Sequence, residues 1–129
     1  RFYERELIQT RLLHWFNYRY HITGYLHWGL NHWKNVSGDT ALYFDNESGL
    51  PSGDVCIVYP EYGKVYGSIR FEAMRDGIAD YELLKLLEKK DSLKAAQLAS
   101  SIIRKYDSYD SDIASFRARR VRLLEWLSE

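Results

Sequence analysis

The apolar positions change period along the chain. Over residues 2–20, Leu7, Ile8, Arg11, Leu12, Trp15 and Phe16 recur at spacings of three and four. One apolar stripe crossed by an arginine predicts a helix. From Ile22 the period drops to two: Ile22, Gly24, Leu26 and Trp28 share one face, Tyr25 and His27 the other. Both faces are bulky or apolar, which predicts a strand over 22–29 covered on two sides. Thr23-Gly24 opens it, because a β-branched residue and a glycine both disfavour continuing the helix. Residues 34–54 then lose all periodicity and place Gly38, Gly49, Pro51 and Gly53 among Ser, Asn and Asp. That is turn chemistry, and unstructured connections longer than about 12–15 residues are uncommon in compact domains and often functional.

Val55 to Tyr59 predicts a short buried strand stopped by Pro60. Glu61-Tyr62-Gly63 turns the chain so that Lys64-Val65-Tyr66 runs back beside it as a small hairpin. Ser68 is a good N-cap for a second helix to about Lys90, with Phe71, Met74, Ile78, Tyr81 and Leu84 inward and Leu83, Leu86 and Leu87 widening the stripe. A third helix from Asp91 or Ser92 uses Leu93, Ala96, Ala99, Ile102, Ile103 and Tyr106. A fourth, from about Ser111 to Leu127, places Ile113, Phe116, Val121, Leu124 and Leu127 inward.

The lone strand over 22–29 has nothing to pair with along its length, so its backbone groups are orphaned unless other strands lie beside it. The small hairpin is a poor partner for a strand covered on both faces. The pattern therefore calls for sheet neighbours outside these 129 residues. The chain opens at Arg1, already inside a helical pattern, and reads as a piece of something longer or a trimmed product.

Composition narrows the function classes. Eighteen basic residues balance eighteen acidic ones, so no global field favours nucleic acid or an acidic membrane. No apolar run reaches the roughly 18 residues that span a bilayer. A single cysteine, Cys56, excludes an internal disulfide framework and a cysteine-rich zinc module. His14, His21, His27 and His32 show no zinc-ligand spacing. No cofactor fingerprint occurs, and no adjacent Asp–Glu pair, P-loop or nucleophile elbow. The aromatic residues crowd the first half, which makes it the site-bearing half.

Trp28, Asn31 and Trp33 follow the predicted strand. A pyranose stacks its C–H face on an indole while amides take its hydroxyl rim. The same spacing fits two core tryptophans at a strand end; the glycine-rich loop that follows favours a site. Tyr59, beside Pro60, is held as a phenol facing a pocket would be, although a packed ring with a wet hydroxyl is the commoner arrangement. Glu72, Asp76 and Asp80 at spacings of four form an acidic line on the second helix, and like charges there repel by about 0.2–0.5 kcal/mol per pair. Arg11 and the arginines of the fourth helix are the cations to face it. Gly77 costs about 1 kcal/mol relative to alanine inside a helix, which points to close approach of another backbone. Arg70 is the member of this region nearest the candidate site. The basic run Arg117, Arg119, Arg120 and Arg122 wraps around its helix and reads as a solvated or ion-paired face.

Three blocks carry a family resemblance. They are Arg11-x-x-x-Trp15 with Gly24-Tyr25-Leu26-x-Trp28-x-x-Asn31-x-Trp33; Gly53-Asp54 through Val58-Tyr59-Pro60; and Ser68-Ile69-Arg70-x-Glu72-x-x-Arg75-Asp76-Gly77-x-x-Asp80-Tyr81-Glu82. With these the chain resembles the C-terminal part of bacterial glycoside hydrolases of family 123 and relatives grouped as domain of unknown function 4091. The resemblance implies an α/β fold, the closing fraction of a (β/α)8 barrel. Residues 1–67 are then its last helix–strand unit with the long loop and the hairpin, and 68–129 are helices packed on it. It implies a β-N-acetylhexosaminidase-type activity in which the substrate's acetamido group is the nucleophile, oriented by an aspartate beside a glutamate acid. No residue here matches that acidic pair, so none is assigned as catalytic. What the resemblance carries over is a sugar subsite of Trp28, Asn31, Trp33 and Tyr59 with Arg70 nearby, and no metal or cofactor. Its partners are an N-acetylhexosamine-containing glycan and the upstream barrel segment, and its location is secreted, periplasmic or cell-surface. A stand-alone carbohydrate-binding module and a helical interaction domain are the alternatives.

Overall fold

The structure is a computed structural model that describes residues 5–31, 57–61 and 63–129. Four helices and two small antiparallel hairpins appear among the described residues. In chain order they are α1 (Leu7–Arg19), β1 (Val58–Glu61), β2 (Lys64–Gly67), α2 (Ile69–Lys90), α3 (Ser92–Ile102), β3 (Ile103–Lys105), β4 (Ser108–Tyr109) and α4 (Ile113–Ser128). The expected loop over 34–54, with Trp33, His32 and Cys56, lies outside the described residues.

Helix α1 ends at Arg19, close to the expected end at about residue 20, and backbone hydrogen bonds close it. His21 takes φ +54; its N–H donates to Tyr18 O at 3.2 Å, and Ile22 N–H donates to Asn17 O at 2.8 Å. These two bonds and the left-handed residue are a Schellman cap built on histidine in place of glycine. The strand expected over 22–29 is not formed. The segment carries no ladder, and Leu26 is 85% exposed. No described strand pairs with residues 22–29, and without a partner an extended segment has no sheet to join.

The first hairpin pairs Val58 with Gly67, Tyr59 with Tyr66, Pro60 with Val65 and Glu61 with Lys64. Pro60 sits inside β1 instead of stopping it, because both strands of a two-stranded hairpin are edges, where proline is tolerated. Gly63 turns the chain at φ +71.

The core joins Leu12, Trp15 and Tyr18 of α1 to Leu84 and Leu87 of α2, to Leu98 and Ile102 of α3, and to Phe116 and Leu123 of α4. The inward line of α2 differs from the apolar stripe. Arg70, Ala73, Gly77, Asp80, Leu84 and Leu87 are buried, while Phe71 and Ile78 face outward. The reason is the close crossing of α1: at that separation only small residues or a paired carboxylate fit between the backbones. A similar rotation in α4 buries Leu123 and exposes Ile113, Val121 and Leu124. Helix α3 stops at Ile102, and Leu93 and Tyr106 are exposed. Ile103–Lys105 pairs with Ser108–Tyr109 across a bulge, a hairpin in place of a last helical turn.

Candidate functional site

The described candidate residues lie within two positions along the chain of one hydrogen-bonded joint. Leu30 O accepts hydrogen bonds from Ile57 N at 2.7 Å and from Val58 N at 3.1 Å. Ile57 O in turn accepts from Ser68 Oγ at 2.6 Å. The Ser68 hydroxyl also accepts from Phe71 N at 3.1 Å, capping α2. Three chain segments distant in sequence are thereby tied at Leu30, Ile57 and Ser68. Trp28 and Asn31 lie within two residues of the first, Tyr59 two beyond the second, and Arg70 two beyond the third.

Two of these side chains touch. Arg70 Nη2 donates to Tyr59 Oη at 2.8 Å, with the guanidinium carbon 5.9 Å from the ring centroid. Arg70 is only 6% exposed, so its charge is held in place by burial, and the phenol accepts a charge-assisted bond. Trp28 is 51% exposed and stacks on His27, with centroids 6.5 Å apart and planes inclined by 22°. The His27 ring is itself fixed, since Nδ1 meets Gly29 O at 2.7 Å and Gly29 N at 3.2 Å. Asn31 is half-buried beside the joint. Trp33 lies outside the described residues.

The acidic line of α2 is answered as its spacing demanded. Arg11 Nε donates to Asp80 Oδ2 at 2.7 Å and Nη2 to Oδ1 at 3.0 Å. Arg120 Nε reaches Oδ1 at 2.9 Å, and Trp15 Nε1 donates to Oδ2 at 3.1 Å. Asp80 is fully buried, so four hydrogen bonds and two cations replace its lost water. Arg11 also reaches Asp76 at 3.4 Å, and Arg75 pairs with Glu72 at 2.5 Å. This network is structural and belongs to the α1–α2–α4 crossing.

Beside it lies a cleft of about 550 Å³ at the N-terminal ends of α1, α2 and α4, with Leu7, Ile69, Glu72, Ile113, Arg117 and Arg120 among its lining. Sequence spacing gave no sign of it, because it needs three helix ends to converge. None of the described sugar-site residues, Trp28, Asn31, Tyr59 and Arg70, lines it. Among the described residues no group of three or more His, Cys, Asp or Glu is placed to hold a metal ion, and no helix is long and apolar enough to cross a membrane. The shifted titrations also lie away from the joint. Burial, helped by the Glu88 charge and Tyr81, pushes the Tyr18 phenol up to about 12. A hydrogen bond to Glu88 holds Lys85 above its ordinary value. The Asp112 backbone and the Ser115 hydroxyl hold Asp110 below its own.

Comparison with known families gives the class of the protein first: residues 1–87 match a glycoside hydrolase catalytic domain. That domain is glycoside hydrolase 123, catalytic domain, and the chain belongs to this family. The match ends within α2, so α3 and α4 lie beyond it. No curated protein sequence matches the chain.

Proposed function

We propose that this chain is the closing part of a hexosaminidase-type (β/α)8 barrel and supplies the aromatic side of its sugar pocket. Residues 1–67 give the last helix–strand unit with its loop and hairpin, and 68–129 pack on them. Trp28, Asn31, Trp33 and Tyr59 line the sugar subsite, and Arg70 fixes the Tyr59 phenol. The observation that carries the reading is the Arg70–Tyr59 hydrogen bond beside the joint at Leu30, Ile57 and Ser68, from which Trp28 and Asn31 are no more than two residues away along the chain. The unladdered, exposed segment over 22–30 supports the rest. It is the seam on which an upstream barrel segment docks, and pairing there turns it into a strand. The catalytic aspartate and glutamate come from that upstream segment. The substrate is an N-acetylhexosamine-containing glycan, and the protein works outside the cytoplasm or at the cell surface.

The test is hydrolysis of 4-nitrophenyl N-acetyl-β-hexosaminides by the full-length natural protein containing this chain. Trp28→Ala and Tyr59→Phe are expected to lower kcat/KM at least tenfold, about 1.4 kcal/mol of transition-state stabilisation each. Arg70→Lys, which keeps charge but loses the planar fork, is expected to give a smaller loss. Full activity in all three variants refutes the subsite.

The exposed Trp28 also favours a second reading, a carbohydrate-binding module without hydrolysis. Under that reading the isolated chain binds glycan and loses binding on Trp28→Ala, while the full-length protein cleaves nothing. Half-exposure of Trp28 speaks against a helical interaction domain whose aromatics are all core.

A further inference from the structure

The outward face of α2 is used neither by the pocket reading nor by the helix packing. Phe71, Ile78 and Leu86 on it are 39%, 49% and 52% exposed, and Ala79 and Glu82 are exposed with them. Arg75 and Glu72 beside them pair with each other, whereas Glu82 makes no ion pair or hydrogen bond among the described residues. The residues of this face repeat in complementary form about a point between Ile78 and Ala79. Counting outward from that point, Ile78 stands against Ala79, Arg75 against Glu82, Glu72 against Lys85 and Phe71 against Leu86. Met74 and Leu83, both half-buried, match in the same way at the flanks. The buried line through Ala73, Gly77, Asp80 and Leu84 runs along the opposite side, so the point of symmetry faces away from the core.

We infer that this face is an interface between two copies of the protein, in which α2 of one lies antiparallel on α2 of the other. A two-fold interface requires that when residue i meets residue j, residue j also meets i. Turning the helix end over end about the point between Ile78 and Ala79 brings each of these residues opposite its counterpart on the second copy. Two Arg75–Glu82 and two Glu72–Lys85 contacts then form, and Glu82 gains an ion pair that it lacks within its own chain. Two Phe71–Leu86 contacts close the ends, and at the centre the small Ala79 leaves room for the second copy's Ile78. No like charges stand directly opposite: Asp76 meets Tyr81, Glu88 meets Ile69 and Lys89 meets Ser68. The pattern selects the occupant. An anionic polymer or membrane surface needs a face of one sign, but here Glu72 and Glu82 balance Arg75 and Lys85. An unrelated helix needs no symmetry in the face that it covers. A helix of 22 residues, about 33 Å long, makes an interface below the roughly 1,200 Å² of stable complexes, so a weak dimer with Kd on the order of 10 µM is expected. Nothing in this pairing depends on the sugar subsite.

The test is analytical ultracentrifugation of the full-length natural protein containing this chain, at concentrations spanning tenfold to either side of that value. A mass that rises toward twice the monomer's is expected. Ile78→Asp should weaken association at least tenfold. Arg75→Glu and Glu82→Arg each set like charges opposite one another at two places, and each should also weaken it at least tenfold. Mixed in equal amounts, these two variants should associate again to within about threefold of the parent, because every contact between them then joins an acid to a base. Both positions are exposed, so the denaturation midpoint of each variant should stay close to the parent's. A parent that remains monomeric throughout overturns the inference, as it will if an upstream segment of the same polypeptide covers the face. A dimer that survives both single variants, or does not return on mixing them, overturns it too. Each of these results leaves the sugar subsite, which hydrolysis tests, where it stands.

Discussion

A Cβ built on Gly77 would stand 2.7 Å from the carbonyl oxygen of Arg11 and 3.3 Å from its Cα. Helices α1 and α2 therefore cross backbone to backbone at this point, and the glycine is what lets them. Gly77→Ala gains about 1 kcal/mol of helix propensity. Against that stands overpacking, typically about 1–3 kcal/mol and more when the obstructing atoms are backbone and cannot rotate away. The crossing also holds the Arg11 clasp on Asp80 in register, so separating the helices loosens both. Gly77→Ala is expected to lower the urea midpoint despite its better helix propensity. A midpoint equal to or above the parent's would show that the helices can part without cost.

Asp80 is fully buried between Arg11, Arg120 and Trp15, and removing its charge leaves two guanidinium groups facing a neutral amide. Breaking a buried pair from one side costs about 3–5 kcal/mol. Arg120→Ala is the milder change. Its side chain is 37% exposed, and Arg11 keeps its two-point contact, so a loss of about 1 kcal/mol is expected. Denaturant unfolding of Asp80→Asn and Arg120→Ala should therefore give clearly unequal losses. Equal losses would mean that Arg11 contributes little to holding the carboxylate. Because Arg120 lies beyond the matched 87 residues, the same reasoning makes α4 part of the folding unit that contains α1 and α2.

The polar skeleton of this fold was more legible in the sequence than its apolar surface. Carboxylates at spacings of four demand cations, which pointed to Arg11, and a glycine in mid-helix demands a neighbouring backbone, which the fold supplies at the same residue. Ser68 announced the start of α2, and Gly63 the hairpin turn. Leu84, Leu87 and Phe116 were read correctly as inward, but the rest of the inward faces of α2 and α4 was misread because apolar content alone ranked Phe71 and Ile78 above Ala73 and Gly77. Close helix crossing reverses that order, and crossing distance is a tertiary property. The strand over 22–29 was read from alternation, which describes side chains and says nothing of whether a partner backbone is present. For the candidate site, the spacing picked out Tyr59 and Arg70 separately; only the fold brings the guanidinium onto the phenol.

His21 closes α1 from the left-handed region, where a Cβ is penalised by about 1–2 kcal/mol. Glycine removes that strain but enlarges the entropy of the unfolded chain by roughly 0.5–1 kcal/mol. His21→Gly is therefore expected to raise stability by up to about 1 kcal/mol. His21→Val, whose branched Cβ suits this region worst, should lower it. Thermal melting of the two variants gives opposite signs if the two capping bonds set the helix end. Changes of the same sign would show that the cap does not limit stability.

The last prediction concerns alkaline pH. Tyr18 is buried in the core, where it meets Tyr81 edge-on with ring centroids 6.1 Å apart. Desolvation first, then the Glu88 charge and Tyr81, push its phenol from 10.0 to about 12. Raising an acid's pKa in the folded state means that the folded chain resists forming the phenolate. Below pH 10 both states keep the proton, and the contribution is fully present. Between pH 10 and about 12 the unfolded chain ionises first, so stability falls as pH rises through that window. Lys85 reinforces the direction, because its own value is raised by the Glu88 hydrogen bond and its charge is lost in the alkaline range. The melting temperature should therefore drop across this window, and Tyr18→Phe, which cannot ionise, should flatten the drop. An identical alkaline slope in parent and Tyr18→Phe would place the sensitive group elsewhere. Phenolate absorbance that appears before unfolding in the parent and is missing from Tyr18→Phe would show that Tyr18 is not shielded in the folded chain.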